Sequence, residues 1–412
     1  MLLWLLEQLG LLWPGAAVAD RFAALEKITF RASLAAMASF VLAVVLGPRM
    51  IAWLRGRFHE PIKSDSAEVE RLHRDKESTP TMGGLFLVAG LIAGVVLFGD
   101  LGNRYVLVAL LVVGGLALVG AVDDLVKLRG TTNGISARSK LAGQLIVATL
   151  AAVLIYQHHA DLPDGLILRL PLAGNGLGLG TWFIPLAVIV IVGSSNAVNL
   201  TDGLDGLAGG CLVFAAGAMT LVAYASGHAE LAEYLGIPRI PGAGEMTVLA
   251  GAMIGGVLGF LWFNCHPAQV FMGDTGSLPL GGLLGLMAVV TRQELLLFVV
   301  GGVFVVEAVS VILQIGSNRL CGRRVFLCAP LHHHFQFKGW AENKIVVRFW
   351  IASALCALLG MATLKLHVQE DEYTDSSRHT PRAVRSAAGS GSPLDIKPRP
   401  LVAPSDAGDD FW

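Results

Sequence analysis

Four short stretches of this chain carry side chains able to do chemistry. Asp123 and Asp124 adjoin; Asn196, Asn199, Asp202 and Asp205 recur every third residue; Asp274 sits in the turn Phe271-Met272-Gly273-Asp274-Thr275-Gly276-Ser277; and His332, His333 and His334 follow Pro330. Carboxylates are hard donors, and Mg²⁺ is commonly held by one or two of them together with substrate phosphates. Imidazoles can bind metal, hydrogen-bond a phosphate or shuttle protons. Lys76 precedes Ser78-Thr79-Pro80-Thr81-Met82-Gly83-Gly84, and both lysine and a helix N-terminus attract phosphate. The chemistry suggested is that of a cation and phosphates. Asp123 and Asp124 are expected at the C-terminal end of a helix, where the dipole disfavours negative charge. Something positive must offset them: a metal, Lys127 or Lys140. On a helix each step of three drifts by about 60°, so the Asn/Asp series wraps around a helix end. Gly203, Gly206, Gly209 and Gly210 would let backbone approach a ligand there. Phe271 is either a core aromatic or a platform for a base.

The elements that must position these groups are membrane helices. The 412 residues are 54% hydrophobic and only 15% charged, with mean hydropathy +0.65, whereas soluble chains carry about a quarter charged residues. Apolar runs predict about ten spans, near 28–46, 82–99, 104–122, 140–157, 181–199, 206–226, 247–264, 277–291, 294–315 and 345–364, each close to the roughly 20 residues a bilayer needs. The alternation of a membrane barrel is absent, so the expected class is all-α and polytopic. Numbered between spans, the odd loops carry sixteen Lys or Arg residues, and the even loops carry four, Arg104, Arg169, Arg239 and Arg292. The positive-inside rule places the odd loops in the cytoplasm and both termini outside. Every chemical motif then falls on the cytoplasmic side. A net charge of −1 predicts no polyanionic partner and no nucleic acid.

Residues 1–27 read as an interfacial segment anchored by Trp4 and Trp13; Glu7, Pro14 and the lack of a basic n-region argue against cleavage after Ala17-Val18-Ala19. Residues 28–366 form the transmembrane catalytic domain, and 367–412, rich in Ser, Pro, Gly, Asp and Arg, a disordered polar tail. The five cysteines form no CxxC pair, and Cys321 and Cys328 with the His triplet lack zinc-ligand spacing. Glu307 lies inside span nine, where a carboxylate is functional or paired. Arg31 in span one is expected to snorkel.

Taken together, STPTMGG, VDD, NAVNLTDGLDGLA, FMGDTGS and APLHHHFQFKGW followed by RFW resemble the phospho-N-acetylmuramoyl-pentapeptide transferases, within the polyprenyl-phosphate N-acetylhexosamine-1-phosphate transferase superfamily. The likeness spans about residues 28–364 in the family's motif order. The HHHF run is the muramoyl-type form. Ser78 stands where the family usually has Gly, Gln336 where it usually has Glu, and 58–75 departs from the usual loop.

The resemblance implies a reaction at the cytoplasmic face of the bacterial inner membrane. Undecaprenyl phosphate attacks the β-phosphate of UDP-N-acetylmuramoyl-pentapeptide, UMP leaves, and lipid I forms. It implies Mg²⁺ as cofactor, with Asp274 as its ligand. Asp123 and Asp124 would position or deprotonate the lipid phosphate. Lys76, Thr81, Asn199, Asp202, Asp205, Phe271 and Gly273 would line the nucleotide–sugar pocket, and His332, His333 and His334 would contact phosphate or sugar. A homodimer is compatible with it. The rivals are a sister transferase using UDP-N-acetylglucosamine and, more remotely, a secondary transporter with Glu307 as its proton site.

Overall fold

A computed structural model describes residues 23–56, 79–128, 134–169 and 176–365. Lys76, most of the expected interfacial segment and the polar tail lie outside the described residues. Among the described residues the protein is all-α apart from two antiparallel two-residue strands, β1 (Ile167–Leu168) and β2 (Leu177–Gly178). In order, the helices are α1 (Ile28–Arg55), α2 (Gly84–Phe98), α3 (Arg104–Leu128), α4 (Ala137–His159), α5 (Phe183–Thr201), α6 (Leu207–Gly227), α7 (Ala229–Tyr234), α8 (Met246–Asn264), α9 (Asp274–Thr291), α10 (Glu294–Val300), α11 (Gly302–Cys321), α12 (Leu331–Phe337) and α13 (Glu342–Lys365). Among the described residues nine helical stretches are long and apolar enough to cross a membrane. The fifteen-residue α2 occupies the remaining expected span. It packs against α1, α8 and α9, so its backbone ends meet protein rather than lipid.

Small residues set how closely these helices approach. On α8, Gly251, Gly255 and Gly259 recur every four residues and press against the backbone of Ala32, Ala36 and Phe40 on α1, where no β-carbon would fit. Lipid offers no hydrophobic drive for helices to associate, so such close packing supplies much of the attraction. α9 is the centre of the bundle. All eighteen of its residues are buried, between α5, α3, α6 and α2. Gly281 and Gly285 lie against the backbone of Ser194 and Val190 on α5.

Two sequence expectations are corrected. Span nine is not one helix: it breaks at Gly301, and α11 then runs from Gly302 to Cys321. Arg31 does not snorkel. It is buried and ion-paired with Glu245, and it also donates to the Phe98 carbonyl. Its partner Glu245 is itself buried and lies just before α8.

Candidate active site

α3 delivers Asp123 and Asp124. The helix continues to Leu128, so the pair lies a turn inside its end rather than closing it, and the dipole penalty inferred from sequence is reduced. What offsets the charges is specific. Asp123 Oδ2 lies 2.8 Å from Lys127 Nζ, and Oδ1 accepts from the Ile135 amide at 2.9 Å. Asp124 turns the other way. Its Oδ1 accepts from the Asp274 amide at 3.1 Å, and its Oδ2 accepts the Thr275 amide at 2.9 Å and hydroxyl at 2.7 Å. These are the first amides of α9, which have no partner inside their own helix. A carboxylate from one helix thus caps the buried start of another.

Gly273 makes that cap feasible. It has φ 71°, which glycine adopts without steric cost, and a β-carbon there would sit 2.6 Å from Asp124 Oδ2. Thr81 is buried behind the same turn. The extended segment before α2 is bound along the Asp274 loop: Phe271 N donates to Pro80 O, Gly83 N to Phe271 O and Gly84 N to Met272 O, at 2.8–2.9 Å. Thr81 and Phe271 are therefore brought to the Asp274 turn, with Phe271 partly exposed.

Asp274 is the first residue of α9. Oδ1 accepts from Asn199 Nδ2 at 2.7 Å, and Oδ2 meets Lys127 Nζ at 3.2 Å and also Lys140. One oxygen from each of Asp123, Asp124 and Asp274 lies within 4.8 Å of the others, all three residues being buried. Three carboxylates against two ammonium groups leave an excess negative charge, and an all-oxygen donor set suits a hard divalent cation.

The Asn/Asp series divides. Asn196 is structural: it donates to Gln144 Oε1 at 2.9 Å and ties α5 to α4. Asn199 holds Asp274 and donates to Ser277 Oγ at 2.8 Å. Asp202 terminates α5 and stays partly exposed. Burial of its carboxyl, and then the charges of Asp274 and Asp124, push its pKa up to about 7. Asp205 faces a different group. Its Oδ2 accepts from the Ala268 amide at 3.1 Å and lies 3.1 Å from His266 Nδ1, while its own amide donates to Glu342 Oε1 at 3.0 Å. Asp205, His266 and Glu342 form a second cluster with ligand atoms within 4.8 Å. His266 and Glu342 were not anticipated, since a lone His after one span and a lone Glu opening another carry no sequence signal. In the structure they clamp the 264–270 turn against the end of α13.

The histidines also divide. After α11 the chain folds back along that helix: Ser317 Oγ donates to Arg323 O, Gln314 Oε1 accepts from the amides of Val325 and Phe326, and Glu307 Oε2 and Oε1 accept from the amides of Leu331 (2.7 Å) and His332 (3.1 Å). His332 is fully buried, and a β-carbon on Gly203 would collide with its Nε2. His333 Nδ1 lies 2.7 Å from Gln336 Oε1. His334 Nδ1 accepts from the Leu327 amide at 3.1 Å, and burial, with the Lys338 charge, lowers its pKa. His332 is brought against the Gly203 backbone. With both oxygens taken by backbone amides, Glu307 is engaged structurally, unlike a carboxylate that must release and rebind a transported proton.

Residues 106–292 match the family model of glycosyl transferase family 4. That match indicates a transferase and supports the superfamily that moves sugar phosphates onto polyprenyl phosphate. The glycosyl transferase family 4 segment contains Asp123, Asp124, Lys127, Lys140, Asn199, Asp202, Asp205 and Asp274. The Thr79–Gly84 segment and the His triplet lie beyond it.

Proposed function

We propose that this chain transfers phospho-N-acetylmuramoyl-pentapeptide from its UDP carrier to undecaprenyl phosphate, giving lipid I and UMP for peptidoglycan synthesis. The observation that carries the transfer chemistry is the trio of buried aspartates inside the family-matched segment, held by Lys127, Lys140 and Asn199. The muramoyl-type donor rests on the HHHF run and on the motif order. The sixteen-to-four split of basic residues supports putting this face in the cytoplasm of the bacterial inner membrane, where the soluble nucleotide and the lipid phosphate meet.

In the proposed step an oxygen of the lipid phosphate attacks the β-phosphorus of the UDP-sugar. A new P–O bond forms, the bond from the β-phosphorus to the bridging oxygen breaks, and UMP leaves with that oxygen and its electron pair. One diphosphate is exchanged for another, and phosphoryl transfer asks the protein chiefly for positioning and charge neutralisation. Asp274, with Asp123 beside it, would hold Mg²⁺, which supplies charge stabilisation to the diphosphate when bound. Asn199 fixes the rotamer of Asp274. Lys127 and Lys140 supply positive charge at the point where phosphate oxygens would gather. Asp124, committed to α9, keeps Asp274 in place. The acceptor phosphate is mostly dianionic at pH 7, its second pKa being about 6, so no strong base is required.

The test is a radiolabelled transfer assay in detergent. With undecaprenyl phosphate and Mg²⁺, label should pass to lipid from UDP-N-acetylmuramoyl-pentapeptide and not from UDP-N-acetylglucosamine. The opposite preference would assign the sister activity.

A further inference from the structure

Glu307 is fully buried, and its two oxygens are spent on successive backbone amides, Leu331 at 2.7 Å and His332 at 3.1 Å. That carboxylate fixes where the His332 backbone sits. It also lies beside the ring: Glu307 Oε2 is 3.3 Å from His332 Nδ1, near enough for charge pairing though not aligned for a hydrogen bond. His332 has no exposed surface, and neither ring nitrogen has a hydrogen-bond partner among the described residues. A buried polar atom without a partner is unfavourable. Two on one ring are costly unless a ligand supplies the acceptor. The ring's neighbours restrict where that ligand is. Nδ1 faces Glu307, the ring packs on His333 with centroids 4.2 Å apart, and Nε2 abuts the Gly203 backbone beside Asp202.

We propose that Glu307 is a positioning residue for His332. It anchors the backbone at residues 331–332 and places a carboxylate at Nδ1. Nε2 is then the ring atom that donates to an anionic oxygen of the substrate bound at the Asp202–Gly203 turn. The neighbouring histidines are held by other contacts: His333 Nδ1 lies against Gln336, and His334 accepts from the Leu327 amide. This assignment rests on the phospho-sugar transfer proposed above.

The experiment uses the full-length protein in detergent, reading UMP release at saturating nucleotide and lipid, KM for both substrates, and the melting temperature. Glu307→Gln and His332→Asn should each lower kcat by about 10²-fold, the scale on which a small misplacement acts. KM should stay within about threefold, as expected when an interaction made only in the transition state is lost. The Glu307→Gln/His332→Asn double variant should be no slower than the slower single variant, because two residues acting through one contact are not additive. Glu307→Asp, which keeps the charge, should recover part of the rate. Losses that multiply in the double variant would overturn the proposal. So would a wild-type kcat in Glu307→Gln, or a loss explained wholly by a lower melting temperature. If Glu307→Gln does not fold, the same cycle with Glu307→Asp and His332→Asn decides the matter by the same criterion of non-additivity. Absence of UMP release by the wild-type protein with every UDP-sugar and lipid tried would overturn the transferase reading itself, and this assignment with it.

Discussion

The carboxylate of Asp124 receives both the amide and the hydroxyl of Thr275, at 2.9 and 2.7 Å, across two helices separated by 150 residues of chain. This joint starts α9, all of whose residues are buried, and α9 in turn carries Asp274 as its first residue. The neighbouring carboxylate of Asp123 meets the Ile135 amide and, at 2.8 Å, Lys127, which also lies 3.5 Å from Asp124. Adjacent residues on a helix point about 100° apart, and here that angle separates the carboxylate that caps α9 from the one that binds the Ile135 amide.

Asp124→Ala should therefore lower the melting temperature in detergent as well as abolish activity. It strands buried amides worth about 1–3 kcal/mol each when unsatisfied. Asp124→Asn, which keeps one acceptor oxygen, should fall between. Asp123→Ala should cost activity with a smaller change in melting. Equal melting temperatures for wild type and Asp124→Ala would show that the joint contributes nothing.

Metal dependence is the second expectation. EDTA should abolish transfer and Mg²⁺ restore it, because three buried carboxylates share one site with two lysines. Asp274→Asn should lose about 10²-fold or more in kcat, the scale seen when a charge-stabilising group is removed. Undiminished activity in Asp274→Asn would rule out its place at the cation.

A third concerns pH. Asp202 has its pKa pushed up to about 7 by burial and by the charges of Asp274 and Asp124, against about 3.9 in an unfolded chain. A carboxyl with a raised folded-state pKa binds its proton more tightly when folded. Its ionisation therefore works against the fold: stability falls as pH rises from about 4 to 7 and levels off above. Asp202→Asn cannot ionise, so its melting temperature should decline less than wild type over that window. Parallel melting curves from pH 4 to 8 would show that Asp202 titrates normally.

Topology gives the fourth. In an otherwise cysteine-free protein, Tyr234→Cys lies on the face opposite the site and Leu320→Cys on the site side, both exposed. An impermeant thiol reagent should label position 234 in intact cells and position 320 only after permeabilisation. The reverse pattern would invert the orientation.

Much of this was legible in the sequence because membrane helices announce themselves as apolar runs and buried charges stand out against them. Asp123, Asp124 and Asp274 were found by residue type, and the Asn/Asp series by its period of three. What could not be read were partners distant in sequence. Arg31 looked like a snorkelling residue because Glu245, its partner, is 214 residues away. The three histidines looked equivalent because their difference arises from a loop folded back along α11 by Gln314 and Glu307. Span nine looked continuous because glycine is ordinary in membrane helices, and only the structure shows the break at Gly301. Asn196 fitted the polar series, yet it faces Gln144 instead of the cluster, since a step of three drifts by about 60°.

The last prediction concerns what Asp123 does. A general base needs a free oxygen facing the proton it removes. Asp123 has one oxygen on the Ile135 amide and the other on Lys127, so both are engaged in holding the cluster together. The acceptor phosphate needs little help in losing its proton, since its second pKa is about 6 and it is mostly dianionic at neutral pH. Asp123→Asn should thus keep its oxygen for Ile135, lose the charge that anchors Lys127, and slow transfer by a factor that stays roughly constant between about pH 6 and 9. Were Asp123 the base, the variant would recover as rising pH ionised the phosphate unaided, with the deficit shrinking until the two profiles met. A pH–rate profile measured at saturating lipid and nucleotide separates the two. A deficit that closes towards high pH would assign Asp123 to proton transfer, and a trapped phosphoryl-enzyme would replace direct attack with a two-step route through an aspartate.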